Sequence, residues 1–325
     1  MTDNRQIYKE LCDSHSDIPL FLQYWWMQAS CGDAWNVLFS YDSEGEVRGF
    51  LCYHLRRKFG FSAILPQLTT LYQGVWVLYP DGISSAHRDV VQREVYEDLA
   101  TQLDALGVGM YEQAFHYSQY DVEAFIEHGY RHIERCTYII DDITDIQPII
   151  DNIPKDKRRR LRSARYRALT LHMDMAPEEF YAAFKDELKN KGKKIFYSED
   201  YFLSLHNAAK ERGCGQILSL KDSDGNIHSA FWVVWDAMSS YGLVLYINPK
   251  FRNDGSSYGI YLEAMKFLCD KTKNFDFDGS MIPTVARRNE MLSGRKVPYM
   301  ALHKVNNPIL RLWRWLKRRK LEVND

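Results

Sequence analysis

Hydrophobic and polar residues form blocks along the chain, and one order of blocks occurs twice. Two runs with a β-strand pattern flank a short polar loop at residues 42–47 (DSEGEV), and two more flank residues 222–227 (DSDGNI). Aspartate and glycine in a short loop between such runs are typical of a β-hairpin. The pattern therefore predicts one hairpin in each half of the chain.

The same series of patterns follows each hairpin. A β-rich run comes next, at residues 74–79 and 241–247, and it leads through an Asp-Gly turn into apolar residues at helical spacing. Another β-rich run, a short helix and a last β-rich run close each half, the last runs lying at 131–140 and 297–304. This order predicts two domains of one fold, and chance recurrence of the turn motif is the alternative.

A basic segment lies between the two halves. Residues 155–167 contain eight lysines and arginines and a single aspartate. At helical spacing Arg158, Arg162 and Arg165 share one face, so we predict one basic helix over this range. A solvated helix face is one interpretation. The other is a groove for the phosphates of a donor, of a nucleotide-linked acceptor or of tRNA.

Composition narrows the class of protein. The chain has 325 residues, which suits two domains, and 46% of them are hydrophobic, which suits a packed core. The net charge of −1 gives no overall attraction to nucleic acid or membrane. The six cysteines form no C-x-x-C pair, which indicates reduced thiols and no zinc site. Without an apolar run of about 18 residues, we predict a cytoplasmic protein with no transmembrane helix.

The most informative stretch runs from the β-rich segment 241–247 into the second-half helix. Between them lies a loop formed by Arg252, Asn253, Asp254, Gly255, Ser256 and Ser257. Amides at a helix start lack partners and the helix dipole favours negative charge there, so this order of elements can bind an anion. Arg252 can add a bidentate contact to a phosphate. We predict a phosphorylated ligand here, and a merely solvated arginine is the alternative.

A strand, an R-x-x-G-x-[GAS] loop and a helix together are similar to the coenzyme A loop of GNAT-fold acyltransferases, and here the loop is Arg252–Ser257. Two such units in one chain resemble the FemAB-like branch of that superfamily. Residues 19–26 (PLFLQYWW), 157–164 (KRRRLRSA) and 275–280 (FDFDGS) also look like that branch. The resemblance runs over most of residues 19–304.

This resemblance implies an α+β (mixed α/β) fold of two tandem GNAT-like domains, each a mostly antiparallel mixed sheet flanked by helices. We place the N-terminal domain at residues 1–145, the C-terminal domain at 146–307, and a basic helix and tail at 308–325. The first-half turn, residues 80–85, has no arginine at the loop position, so its donor loop is degenerate. Donor binding is therefore expected in the second half only.

The resemblance further implies an N-acyltransferase of the bacterial cytoplasm. Its donor would be acetyl-CoA or another acyl-CoA, or alternatively an aminoacyl-tRNA. Its acceptor would be an amine of a small molecule such as an amino sugar, or of a cell-envelope precursor. No metal is expected. Rival interpretations are a non-catalytic nucleic-acid-binding protein or a membrane-peripheral protein on the same scaffold.

The chemistry expected of such a site is direct attack of the amine on the donor carbonyl, with a backbone amide of strand 241–247 stabilising the oxyanion. Asp276 and Asp278 lie two apart on a predicted strand and so share a face, which makes them candidate proton acceptors. A structural hydrogen bond to the following turn is the alternative for one of them. Tyr241 and Tyr246 are candidate proton donors to the leaving thiolate.

Two further regions are candidates for binding. We expect the acceptor in a crevice between the halves, near Asp276 and Asp278 and also near Tyr72 and Gln73, with Arg158 and Arg162 as further substrate-binding residues. The C-terminal segment 308–320 combines cations with tryptophans, which is typical of a helix at a membrane surface. The same composition also suits a helix docked through its apolar face.

Overall fold

A computed structural model describes residues 3–58, 60–279 and 281–311. The described chain divides into two compact units. One comprises residues 3–135 and those from 298 onward, and the other is Cys136–Val297. The chain thus returns to the first unit near its C-terminal end, which the repeat in the sequence did not indicate.

The elements that precede the second unit are, in chain order, α1 (Asn4–Ser14), a 3₁₀ turn (Leu20–Leu22), α2 (Tyr24–Cys31), β1 (Trp35–Tyr41), β2 (Val47–Lys58), β3 (Phe61–Ile64), β4 (Gly74–Val77), α3 (Ser85–Ala105), β5 (Met110–Ala114) and α4 (Glu123–Glu127). β6 (Arg131–Ile140) contains the boundary between the units.

The elements that follow are α5 (Gln147–Asn152), α6 (Lys155–Leu161), α7 (Ala164–Arg167), β7 (Thr170–His172), α8 (Pro177–Asn190), α9 (Glu199–Glu211), β8 (Gly215–Lys221), β9 (Ile227–Trp235), β10 (Ser240–Ile247), a 3₁₀ turn (Pro249–Phe251), α10 (Ser256–Leu268), β11 (Phe275–Asp276) and α11 (Pro283–Met291). The last strand, β12 (Arg295–Val305), again contains a unit boundary.

Each unit is built on a mostly antiparallel mixed sheet. In the first unit the strand order is β1-β2-β3-β5-β12 with β4 also on β2, and among the strand pairs described there only β3 and β5 are parallel. In the second unit the order is β6-β11-β10-β9-β8-β7, and of its described strand pairs only β10 and β11 are parallel. Helices flank both sheets, so the predicted α+β fold of two similar domains is confirmed.

The two predicted hairpins are present, and their turns have the same hydrogen bonds. In each turn the first aspartate accepts hydrogen bonds from the amides two and four residues later. The N–O distances are both 2.9 Å for Asp42, and 3.0 and 2.8 Å for Asp222. Gly45 and Gly225 occupy the same left-handed backbone position, with φ of +87° and +81°. The sequence repeat therefore reflects a structural repeat.

The long helix of each half packs on its own sheet, as the apolar spacing predicts. In α3, Val95 and Leu99 are fully buried, and in α10 the same is true of Ile260, Ala264 and Leu268. Burial of each large aliphatic side chain contributes about 1.5–3 kcal/mol. These contacts fix the position of the α10 N-terminus relative to the sheet of the second unit.

The single basic helix predicted over residues 155–167 is wrong. α6 ends before α7 begins because Ser163 caps α7: its hydroxyl accepts the amide of Tyr166 (3.2 Å) and donates to the carbonyl of Arg160 (2.7 Å). Arg158 and Arg165 therefore lie on different short helices. A local serine cap outweighs the periodicity of the charges.

The predicted C-terminal helix lies mostly outside the described residues, because the description ends at Arg311. Within the ranges described, no helix is long and apolar enough to cross a membrane.

Candidate active site

Strands β10 and β11 separate soon after they meet. They pair only where Ser240 and Tyr241 oppose Phe275 and Asp276. β11 then ends, and the amide of Phe277 donates to a carbonyl of β6 at 3.0 Å, while β10 continues beside β9. A gap therefore opens between the parallel strands β10 and β11, at the edge of the sheet where the C-terminal ends of both strands lie.

A backbone amide of β10 faces this gap. The pairing of β10 with β9 is interrupted by a bulge between Gly242 and Val244 and is regular afterwards. At the far end the amide of Ile247 donates away from β9, to Oε2 of Glu187 at 3.4 Å. Amides alternate in direction along a regular strand, so that of Leu245 also points away from β9. It is the candidate oxyanion donor of the predicted strand.

The loop that follows β10 forms the start of α10. Gly255 has φ of +102°, and a Cβ atom there would lie 3.0 Å from the backbone C and O atoms of Arg160. The amide of Ser256 donates to Oδ1 of Asp254 at 2.8 Å, and the next two amides after Ser257 donate to the carbonyl of Gly255. Within the described chain, the amide of Ser257 is thus the first-turn N–H left without an acceptor.

Two arginines border this loop. The side chain of Arg252 is exposed and forms no ion pair with any residue that the structure describes. Arg160 approaches from α6, where its Nη1 donates to Oδ1 of Asn253 at 2.9 Å. Three groups therefore lie at the Arg252–Ser257 loop. They are the guanidinium of Arg252, which has no ion pair among the described residues, the guanidinium of Arg160, which is bonded to Asn253, and the amide of Ser257 at the start of α10.

Two more cations lie near the first turn of α10. Burial raises the pKa of Tyr258; the positive charges of Arg288, Arg160 and Arg287 act in the opposite direction, and the negative charge of Asp156 adds to the rise. Arg288 also stacks over the ring of Tyr261, its Cζ 5.0 Å from the ring centroid. Arginines of α6 and of α11 therefore both lie near the N-terminal turn of α10, together with one aspartate of α6.

Asp276 has the structural role that the sequence left open. It is fully buried and accepts hydrogen bonds from the hydroxyl of Thr137 and from the amide of Asp278, the latter at 3.0 Å. The same hydroxyl accepts the amide of Gly279 at 2.9 Å. Because the strand ends at Asp276 and Asp278 has φ of +59°, the prediction that both side chains lie on one face of a strand is wrong.

Asp278 is half-buried beside the α8–α9 loop. Burial raises its pKa well above the usual value, and the negative charge of Asp276 adds to the rise. Burial also raises the pKa of Tyr197, followed by the charges of Tyr181, Tyr201 and Asp278. A carboxyl group in this position holds a proton more tightly than an exposed aspartate does.

The two candidate tyrosines lie at opposite ends of β10. The hydroxyl of Tyr241 donates to Oδ2 of Asp236 in the β9–β10 turn at 3.4 Å. Tyr246 lies five positions further on, about 16 Å along the strand. It is mostly buried at the end near the loop, where burial raises its pKa and the charges of Glu187 and Asp186 add to the effect.

The candidate acceptor residues of the first unit are both buried. The ring of Tyr72 packs edge-on against His116 and Tyr299, with centroid distances of 4.7 and 5.4 Å. Gln73 is 2% exposed, and its side-chain nitrogen and oxygen have no hydrogen-bond partner among the described residues. Neither side chain is exposed to solvent.

The basic segment contributes a different arginine from those predicted. Arg158 donates to the carboxylate of Asp151 at 3.2 Å, and Arg162 is exposed at the end of α6. Arg160 is the residue that reaches the donor loop. Glu187, buried against the end of β10, is a second residue that the sequence did not single out. No pattern in the sequence distinguishes either from its neighbours.

Comparison with protein-family profiles and with curated sequences gives no match. Solved structures do match, and they show that the chain shares the fold of FemX and of a tandem GNAT protein. The crystal structure of FemX matches with a TM-score of 0.69 at 12% identity, over 96% of this chain and 98% of FemX. The resemblance predicted from the sequence is thus confirmed for the fold.

Two other structures share this fold. The C-terminal domain of a putative lysylphosphatidylglycerol synthetase from Agrobacterium fabrum matches with a TM-score of 0.56 at 10% identity, covering 92% of each chain. A tandem GNAT protein from the clavulanic acid biosynthesis pathway matches with a TM-score of 0.52 at 11% identity, covering 92% of this chain and 93% of that one.

Proposed function

We propose that this protein is an N-acyltransferase that moves an acyl group, in the simplest case acetyl from acetyl-CoA, to an amine. The acceptor amine attacks the donor carbonyl directly, without a covalent enzyme intermediate. One observation carries the proposal: the gap between β10 and β11 opens at the sheet end from which the chain enters the Arg252–Ser257 loop and α10. The loop would then bind the phosphates of the donor, and the neighbouring gap would hold its reacting carbonyl.

The donor loop suits a diphosphate. The exposed Arg252 can form a bidentate contact, and the amide of Ser257 has no acceptor within the described chain. Arg160 adds charge from α6. These groups recognise negative charge only. They therefore support coenzyme A as the donor because it carries phosphates, and they give no information about the rest of the ligand.

The carbonyl end of the donor would lie along β10. Attack by the amine places negative charge on the carbonyl oxygen, and the Leu245 amide is oriented to donate to it. One such fixed donor lowers the barrier by about 2.7–4 kcal/mol in comparable sites. Collapse of the tetrahedral intermediate breaks the C–S bond and releases the thiolate.

Two proton transfers accompany the reaction. The acceptor nitrogen loses a proton as it forms the C–N bond, and the carboxylate of Asp278, made a stronger base by its raised pKa, is our candidate to take that proton; Asp276 fixes the turn that carries it. Tyr246 stays protonated at neutral pH and is our candidate to supply a proton to the thiolate. Tyr241, held by Asp236 at the other end of the strand, has no role in this scheme.

For the acceptor we propose an amine of an amino sugar or of a cell-envelope precursor. Tyr72, Gln73, Arg158 and Arg162 remain predictions for its binding.

A second candidate donor is aminoacyl-tRNA. Arg159, Arg162, Arg165 and Arg167 are all exposed on α6, on α7 and in the short connection between them, close in sequence to the arginine that contacts the donor loop. Such a surface binds a phosphate backbone with an affinity that falls steeply with salt. Salt-sensitive binding of tRNA, together with transfer of its amino acid, would favour this donor over acyl-CoA.

The test is a transfer assay on the full chain. Acetyl-CoA and a panel of amino sugars and diamines are incubated with the protein, free thiol is followed over time, and products are identified by mass. We expect acetylated amine in amounts equal to the thiol released. Thiol release without acylated product, or no release with any amine, would refute acyl transfer from CoA.

A further inference from the structure

His228 on β9 lies between two aspartates at the back of the donor loop. Its Nδ1 bonds a carboxylate oxygen of Asp254, and its Nε2 lies 3.2 Å from Oδ2 of Asp222. The ring stacks on Phe251, with centroids 3.7 Å apart and planes 6° from parallel. The side chains of His228 and Asp254 are 4% and 0% exposed, so this arrangement is internal.

Both ring nitrogens of His228 have a carboxylate oxygen as their hydrogen-bond partner. Ionised carboxylates only accept hydrogen bonds, so the ring satisfies both of them when both of its nitrogens carry protons. Hydrogen bonds from Asn226 first, and then from His228, lower the pKa of Asp222 to about 2. The ring thus connects the hairpin turn at Asp222 to the loop at Asp254 through its two nitrogens.

Asp254 links this cluster to the start of α10. One carboxylate oxygen bonds His228 and the other accepts the amide of Ser256 at 2.8 Å. The hydrogen bond to the ring therefore fixes the direction of the carboxylate that caps α10.

The sequence repeat supplies a comparison within the molecule. Arg48 occupies the position in the first half that corresponds to His228, directly after the matching turn. It pairs with Glu94 in the middle of α3 (Nη1–Oε2, 2.6 Å), while the start of α3 is capped by Ser84. Only the second half therefore connects the hairpin to a helix start.

We propose that His228 is a positioning residue of the donor loop. By holding Asp254, which in turn holds the amide of Ser256, it fixes the first turn of α10 so that the amide of Ser257 is available to the donor phosphates. This inference rests on the proposed function, since it assigns the loop to a phosphorylated donor.

The first test measures the loop without any ligand. His228→Phe keeps the stacking on Phe251 and removes both hydrogen bonds, whereas His228→Asn keeps a donor near Nδ1. Arg48→Ala is the matched control. We expect hydrogen exchange of residues 253–259 to be about tenfold faster in His228→Phe, intermediate in His228→Asn and unchanged in Arg48→Ala. Unchanged exchange in His228→Phe would overturn the proposal.

The second test measures CoA binding by calorimetry on the same proteins. We expect the Kd to rise about tenfold in His228→Phe, to recover in part in His228→Asn and to stay at the wild-type value in Arg48→Ala. Faster exchange with an unchanged Kd would overturn the role in donor binding.

A wild-type chain that binds no CoA would refute the proposed donor site, and the exchange data would still decide whether His228 holds the loop. If His228→Phe does not fold, His228→Asn compared with Arg48→Ala decides both questions.

Discussion

Asp276 and Asp278 are two residues apart and have opposite surroundings. Asp276 is buried and accepts a hydroxyl and an amide hydrogen bond, which hold its carboxylate in place. Burial works against the charge of Asp278 and raises its pKa. Spacing in the sequence singled out the pair, but only the geometry of the turn shows which carboxylate is held in place by hydrogen bonds and which has the raised pKa.

Asp278→Asn should therefore separate stability from transfer. A carboxyl whose pKa is raised in the folded protein gives stability that is present at low pH and is lost as pH rises through that pKa. Asparagine removes this loss and tolerates the left-handed backbone at φ of +59°. At neutral pH we expect unchanged or higher stability to urea, with transfer slower by about 10²-fold.

Urea unfolding and transfer rates at several pH values check this prediction. Asp276→Asn is the control, and it should destabilise the folded protein because it weakens the hydrogen bonds that hold the turn. A clear loss of stability in Asp278→Asn at neutral pH would show that its carboxylate is structural.

At the scale of elements, the start of α10 depends on a close approach between α6 and the donor loop. Gly255→Ala puts a Cβ atom 3.0 Å from the backbone of Arg160 and strains a backbone with φ of +102°. We expect α6 to shift, stability to fall by about 1–3 kcal/mol and CoA affinity to fall with it.

Gly213→Ala is the matched control. Its φ is +64° and a Cβ atom there would meet nothing within 4 Å, so it adds backbone strain without moving a neighbour. Both variants should lose stability in urea unfolding, but only Gly255→Ala should lose CoA affinity in calorimetry. Equal CoA affinity in the two variants would show that the approach of α6 is irrelevant to the donor loop.

Elements were predictable where their cause is local. Turn chemistry marked both hairpins, and apolar spacing marked α3 and α10, because each signal lies within the element itself. The break at Ser163 depends on a cap that competes with charge periodicity, and the pairing of β12 with β5 joins distant parts of the chain. Periodicity in one segment carries no information about either.

The residues of the candidate site were also predictable only where the signal is local. The Arg252–Ser257 loop was predictable from its own residues. Arg160, Glu187 and His228 were not, because each acts through a contact with a residue that is 26 or more positions away in the chain. The correspondence of His228 with Arg48 was the one signal in the sequence, and it indicated a repeated position rather than a role.

At the scale of the whole molecule, the buried side chain of His116 makes the stability of the folded protein depend on pH. Burial lowers the pKa of His116 from 6.5 to about 3. The unfolded chain therefore takes up a proton below about pH 6.5 that the folded protein excludes. The contribution of this group to stability is complete above that pH and declines as pH falls toward 3.

His116→Phe should reduce this decline, because phenylalanine keeps the packing on Tyr72 and cannot take up a proton. Urea unfolding of the wild-type chain and the variant between pH 7 and 4 measures the difference. The stability gap between the two should shift in favour of the variant as pH falls. A gap that does not change with pH would mean that His116 takes up its proton equally in both states.

The central claim is that the Arg252–Ser257 loop binds the phosphates of an acyl-CoA donor, and calorimetry with CoA tests it most directly. We expect the wild-type chain to bind CoA, Arg252→Ala to bind it more weakly by about 1–3 kcal/mol, and Lys250→Ala, an exposed cation of the same turn, to bind it nearly as well as wild type. Binding that is absent in the wild type, or equal in wild type and Arg252→Ala, would contradict the account.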